Sequence, residues 1–139
     1  MDYNDIYEKF LDLCGYDYTE LPQTDELIYR LINNGVGLYN SKAKKYPDVL
    51  QGGVKCDNST ETINKELNET DLLVLVYFMC YITASNKYME YTSLWGTVAN
   101  ETGLKDYKAN CSAKKSAVDY FKKQIDTLIE DEIISFDFD

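Results

Sequence analysis

The chain reads as an all-α protein, a small helical bundle of about four helices with a long loop and an extended C-terminal segment. Three observations predict it. Apolar residues recur at spacings of three and four through most of the chain. The two longest such stretches, Glu66–Tyr91 and Leu104–Glu132, hold most of what the chain can bury. Strict alternation of apolar and polar residues, the strand signature, is confined to the last residues. At 139 residues the chain is expected to form one core and to be stable without metal or disulfide staples.

Taking the elements in order, Tyr3, Ile6, Tyr7, Phe10 and Leu11 share one helical face, which Asp2 or Asn4 can cap and Gly15 can end. A second helix is expected after Pro22, with Thr24 as N-cap and Asp25 and Glu26 at the positive end of its dipole. Its apolar face runs from Leu27, Ile28, Leu31 and Ile32 through Gly35, Tyr39, Ala43 and Tyr46, and two glycines within it, each costing about 1 kcal/mol relative to Ala, predict a break near Asn34–Gly37. Pro47 stops that helix, and Pro47–Lys65 reads as a long loop with turn residues and no sustained period. Asn68, three residues before Asp71, can cap a third helix whose next turns are apolar on all sides, which places it at the centre of the bundle. A link is expected from Trp95 to Gly103. The last helix carries Tyr107, Cys111, Val118, Phe121, Ile125 and Leu128 along one near-heptad seam. Beyond it, Ile134, Phe136 and Phe138 alternate with polar residues, so the domain is expected to close at residue 132 and 133–139 to form an extended acidic and hydrophobic tail.

Charge and composition remove several function classes. The net charge is −10 and there is no histidine, which argues against binding DNA through phosphate neutralisation. Asp2–Glu26 carries eight acids and one base, Asp126–Asp139 six acids and no base, and Lys105–Lys123 six lysines against two acids. Such polarity suits solvated helix faces or contacts with copies of the chain. Without histidine there is no imidazole general base, no Ser-His-Asp or Cys-His arrangement and no His-ligated metal, so no enzymatic activity and no cofactor are expected. Cys14, Cys56, Cys80 and Cys111 lie far apart and read as free thiols in a reducing compartment. Asn34-Gly35-Val36-Gly37 followed by Ser41-Lys42 lacks the order of a phosphate-binding loop. Glu130, Asp131 and Glu132 fit no calcium-loop pattern and read as a solvated acidic stretch. The N-terminus is not a signal peptide, and the longest apolar run, Leu72–Ile82, is too short to cross a bilayer, so no membrane partner is expected.

The order of segments carries a family likeness. An opening DYNDIYEKFLDL, a central apolar helix entered through Leu67-Asn68-Glu69-Thr70-Asp71 and left through NKYMEY, and a closing DYKANCSAKKSAVDYFKKQID resemble the small head–tail connector (adaptor, or head-completion) proteins of tailed bacteriophages. In that family the closing helix is entered through an aromatic residue and Ala-Asn, here Tyr107, Ala109 and Asn110. The acidic ending EDEIISFDFD departs from the basic ending of many relatives. The resemblance implies a structural virion protein that assembles in the host bacterial cytoplasm and sits in the neck as a ring, commonly of twelve copies. Its partners would be the portal protein above, copies of itself at the sides, and the next neck or tail-completion protein below. DNA would pass along an acidic channel without specific binding. Ile133, Ile134, Phe136 and Phe138 would then form the portal or subunit docking arm, and Lys114, Lys115, Lys122 and Lys123 would supply inter-subunit or channel contacts. The alternative from another class is an acidic DNA-mimic inhibitor or regulator of a host nucleic-acid protein, whose mark would be carboxylates spaced along one continuous face.

Overall fold

The computed structural model, described for residues 1–102 and 104–138 with the side chains of 94–105 and 135–139 excepted, is a four-helix protein. Helix α1 spans Tyr3–Cys14, α2 Asp25–Lys45, α3 Glu69–Thr102 and α4 Leu104–Phe138. A single 3-10 turn at Tyr18–Glu20 leads into α2, and a two-stranded hairpin, β1 Cys56–Asp57 with β2 Thr62–Ile63, lies between α2 and α3. Helix α3 is the axis of the molecule: α1, α2 and α4 all pack on it. Its residues Val74, Leu75, Val76, Met79 and Cys80 are fully enclosed, as expected for a helix apolar on every side. By length and composition Glu69–Ser93 would also suffice to cross a membrane, yet its middle turns are where three other helices meet.

Two of the predicted caps form, while Asp2 stands at the N-cap of α1 without a side-chain hydrogen bond to the helix. Thr24 Oγ1 accepts from the Leu27 amide at 3.3 Å and Asn68 Oδ1 accepts from the Asp71 amide at 2.9 Å, each filling one open donor of a first turn. Gly15 ends α1 with φ of 73°, a left-handed conformation that glycine adopts without a Cβ clash. On α1, Tyr3, Ile6, Phe10 and Cys14 are buried; on α2, Leu31, Ile32, Val36, Tyr39 and Ala43 are buried.

Three expectations need correction. Helix α2 is unbroken through Asn34–Gly37. Gly35 is where α2 crosses closest to α3: a Cβ there would lie 2.7 Å from Met79 Cγ, so the missing side chain allows the approach instead of breaking the helix. The link expected over Trp95–Gly103 is helical through Thr102. The extended tail is helical as well, because α4 runs across residue 132 to Phe138 without a glycine or proline to stop it. Ile133 follows Ile129 by four residues and keeps its side chain against the core, so the helical period overrides the alternation of the last residues. The segment Pro47–Lys65 is the expected long loop, with the short hairpin inside it, and it is held tightly. Leu50, Val54 and Ile63 are buried, and the chain start pairs with the hairpin through Tyr3 N–H to Glu61 O at 2.8 Å and Ile63 N–H to Met1 O at 2.9 Å.

One buried polar group fastens that segment to the bundle. The Asp71 carboxylate has no exposed surface; its Oδ1 accepts from the Tyr39 hydroxyl and from the Gln51 amide at 2.9 Å. The Tyr39 oxygen in turn accepts from the Gly52 amide at 3.1 Å. Helices α2 and α3 and the loop thus meet at three hydrogen bonds where a bare buried carboxylate would be costly. Gly52 and Gly53, with φ of 65° and 64°, make the left-handed turn that aims the Gln51 and Gly52 amides inward.

Substitutions test these two features. Gly37 has open space where a Cβ would sit, so Gly37→Ala should stabilise the fold by about 0.5–1 kcal/mol. Gly35→Leu should destabilise it by about 1–3 kcal/mol through overpacking against Met79 and Leu75, both read by chemical denaturation. Equal shifts from the two would mean that α2 does not lie this close to α3. Tyr39→Phe, which removes one of the two donors to Asp71 Oδ1 and strands the Gly52 amide, should cost about 1–3 kcal/mol. A pH dependence follows too. Burial, then the hydrogen bond to Asp71, pushes the Tyr39 hydroxyl up, and burial does the same for Tyr3. With unfolded tyrosine ionising near about 10, their contribution is intact below that pH and is lost as pH rises past it. The chain should therefore stay folded to about pH 10 and unfold cooperatively above it, with tyrosinate absorbance rising in step. Gradual ionisation of all thirteen tyrosines in a chain that stays folded would contradict the burial.

Candidate functional site

Three surfaces present chemistry. The first is an open cleft of about 470 Å³ where the turn through Leu21 and Pro22 passes between α2 and α3. Arg30 and Asn34 line it from α2, and Ile82, Asn86 and Glu90 from α3. Its cations are already engaged: Arg30 meets Glu26 at 3.5 Å one helical turn away, and Lys87 Nζ donates to the Glu20 carbonyl at 2.9 Å while lying 5.1 Å from the Tyr16 ring centre. Leu27, 42% exposed, adds an apolar edge. The arrangement offers amide hydrogen bonding beside apolar wall, a recognition surface without a nucleophile and base in contact.

A second hollow of about 380 Å³ lies over the Gly52–Gly53 turn, edged by Asn40, Lys44 and Pro47. Here the polar groups serve the fold. Asn40 bonds Val54 both ways, Nδ2 to the carbonyl at 2.9 Å and Oδ1 from the amide at 3.0 Å, and Lys65 Nζ donates to the Gly52 carbonyl at 2.7 Å. Beneath it lies the Asp71 carboxylate, whose Oδ2 is buried without a partner among the described residues. The sequence pointed to Asp71 only as part of a helix cap; the signal that it is buried is its place one residue before the apolar run Leu72–Ile82.

The third surface is the α3–α4 hairpin. Near the body its interior is apolar, with Phe121, Ile125 and Ile129 buried and Tyr77 6.3 Å from Phe121 between ring centres. Farther out it becomes aromatic and polar. Tyr91 and Tyr107 stack at 5.8 Å, Lys114 Nζ lies 5.1 Å from the Tyr91 ring centre, and the Tyr107 hydroxyl is pushed up chiefly by its hydrogen bond with Cys111.

The structure separates the residues that the sequence grouped. Lys114 turns inward onto Tyr91, Lys115 and Lys122 stand exposed on one flank seven residues apart, and Lys123 is exposed farther round the helix. Of the expected docking arm, Ile133 packs against the core, Ile134 is 54% exposed, and the Phe136 and Phe138 side chains lie outside the described residues. Arg30, Asn34, Asn86 and Lys87 were not singled out in the sequence, because the cleft they line forms only where α2 crosses α3. Among the described residues no three acidic or cysteine side chains converge as a metal site.

Comparison with known proteins gives a family. The YomZ prophage protein family matches residues 1–133. The SPbeta prophage-derived protein YomZ of Bacillus subtilis (strain 168) is 34% identical over 134 residues, covering 96% of this chain and 97% of its own length. No solved structure matches the chain. With the match extending from α1 through Ile133 in α4, the chain belongs to the YomZ family of prophage proteins.

Proposed function

We propose that this chain is a structural virion protein of a tailed phage, a head–tail connector that forms a ring below the portal, extends the DNA channel and joins capsid to tail. The observation that carries the reading is membership of a prophage family by a chain whose long final helix leaves one side uncovered. The sequence pattern of the opening, central and closing helices supports it, as does a net charge of −10, which lets DNA slide past without being gripped. Its partners on this reading are the portal protein, neighbouring copies and the next neck protein, and its place is the virion neck after assembly in the host cytoplasm. No step of catalysis and no cofactor enters.

In the neck, the exposed end of α4 around Ile134 is the part that reaches a neighbour, and Lys115, Lys122 and Lys123 face adjoining copies. The rival is an acidic mimic of DNA that fills a nucleic-acid-binding cleft. It is less favoured because six lysines interrupt the acidic surface along α4 between Lys105 and Lys123.

Affinity purification of a tagged copy from an induced lysogen, with electron microscopy and mass spectrometry of what accompanies it, tests the reading. Rings or necks carrying portal protein are expected. A one-to-one complex with a host nucleic-acid enzyme would replace the connector with the mimic. Deleting residues 134–139, beyond the last side chain seen against the core, should leave the helical fold intact while the portal no longer co-purifies. Undiminished recovery of portal protein by the shortened chain would remove the docking role from this end of α4.

A further inference from the structure

Helix α4 has a second face that the body of the protein leaves bare. Its inner seam of Phe121, Ile125 and Ile129 packs on α3, and among the described residues the opposite side is exposed. Tyr120, Thr127 and Ile134 recur at intervals of seven, about 140–180° round the helix from Ile125, so they fall on one outward line. All three are exposed, and Tyr120 and Ile134, at 53% and 54%, are the large apolar residues of α4 most open to solvent among those described. Exposed Tyr120 and Ile134 two heptads apart, with the small Thr127 between them, leave an outer face on which another helix can pack.

The charge along the same helix says what that helix would be. Because α4 is continuous, the lysine-rich stretch Lys105–Lys123 and the acid-only stretch Asp126–Asp139 lie at opposite ends of one rod. That order opposes the helix's own dipole, which favours acids at the start and bases at the end; the last turn of α4 has no basic residue. A second α4 running antiparallel across the residues around Thr127 would set Lys123 of each copy beside Glu130 and Asp131 of the other and oppose the two dipoles.

We propose that two copies of this chain pair antiparallel through the outer faces of α4, with the two-fold axis at Thr127. Tyr120 lies seven residues before that point and Ile134 seven after, so Tyr120 of one copy packs on Ile134 of the other. Lys123, four residues before, reaches Glu130, three residues after, on the second copy. Both of these charged side chains are exposed, and neither takes part in an ion pair among the described residues, whereas Asp126 is already held by Lys42 at 3.2 Å and Glu132 by the Thr70 hydroxyl at 2.7 Å. The pairing is isologous and therefore closes at two chains. It is independent of the connector reading, because it concerns the purified chain alone.

Sedimentation equilibrium of the purified full chain over a range of concentrations tests it. A reversible dimer is expected. Tyr120→Glu and Lys123→Glu should each weaken it by about tenfold or more, since each removes a contact that is made twice across the two-fold axis. The double variant carrying Lys123→Glu with Glu130→Lys should regain dimerisation, because the exchanged charges meet again across the two-fold axis. Circular dichroism and denaturation of each variant should match the parent, as these side chains are outside the core. Thr127→Cys should give a covalent dimer on mild oxidation. A chain that stays monomeric throughout, or a dimer indifferent to Tyr120→Glu, or a charge exchange that fails to restore pairing in a folded protein, would overturn the proposal.

Discussion

The fold depends on the need to cover one helix from all sides. From Leu72 to Ile82, α3 has no polar face to turn to water, so an isolated copy would expose apolar surface around its whole circumference. Helices α1, α2 and α4 each supply a single apolar stripe, and three stripes are what an all-round apolar helix requires. The glycine at 35 and the buried side chains of Ile32, Val36 and Tyr39 let α2 approach closely, while Phe10 and Ile6 fill the α1 side. Removing any one helix would leave the same axis exposed.

At the end where α3 begins, that arrangement meets a polar problem and solves it locally. Asp71 lies in the first turn of the helix, where a carboxylate suits the dipole, and the same position is enclosed once the loop folds over. Tyr39 from α2 and the amides of Gln51 and Gly52 supply donors, so the carboxylate becomes the point at which helix, helix and loop are fixed together. The strand-like pairing of residues 1–3 with the hairpin closes this end further. Among the described residues the opposite end has no comparable clamp: α3 and α4 meet there through the stacked Tyr91 and Tyr107, with Lys114 over the Tyr91 ring. One end of the molecule is thus a fastened core and the other an arm.

The two functional readings both draw on the exposed side of α4 toward its C-terminal end. A connector needs surfaces that join neighbours in a ring and a terminus that reaches the portal, whereas the pairing of α4 with α4 uses an outer line of residues around Thr127. An isologous contact closes on itself and a ring needs a heterologous one, so the two describe distinct states of the same surface. Membership of the YomZ prophage family sets the biological context in which both are placed.

Local chemistry made much of this legible from the residues in order. The all-α class, the caps at Thr24 and Asn68, the end of α1 at Gly15 and the central place of α3 follow from spacing, capping and the absence of a polar face, all short-range properties. The continuity of α2 through Gly35 was not legible, because the reason for that glycine is a methionine on another helix. Nor was the helical state of residues 133–138, where alternation and helical period compete and packing of Ile133 decides. The burial of Asp71 and the cleft between Arg30 and Asn86 likewise arise only when segments distant in the chain are brought together. Sequence by itself determined which elements exist and which face of each is apolar; tertiary structure alone decided which polar residues were enclosed and which apolar ones were left outside, because burial is set by neighbours that spacing along the chain does not specify.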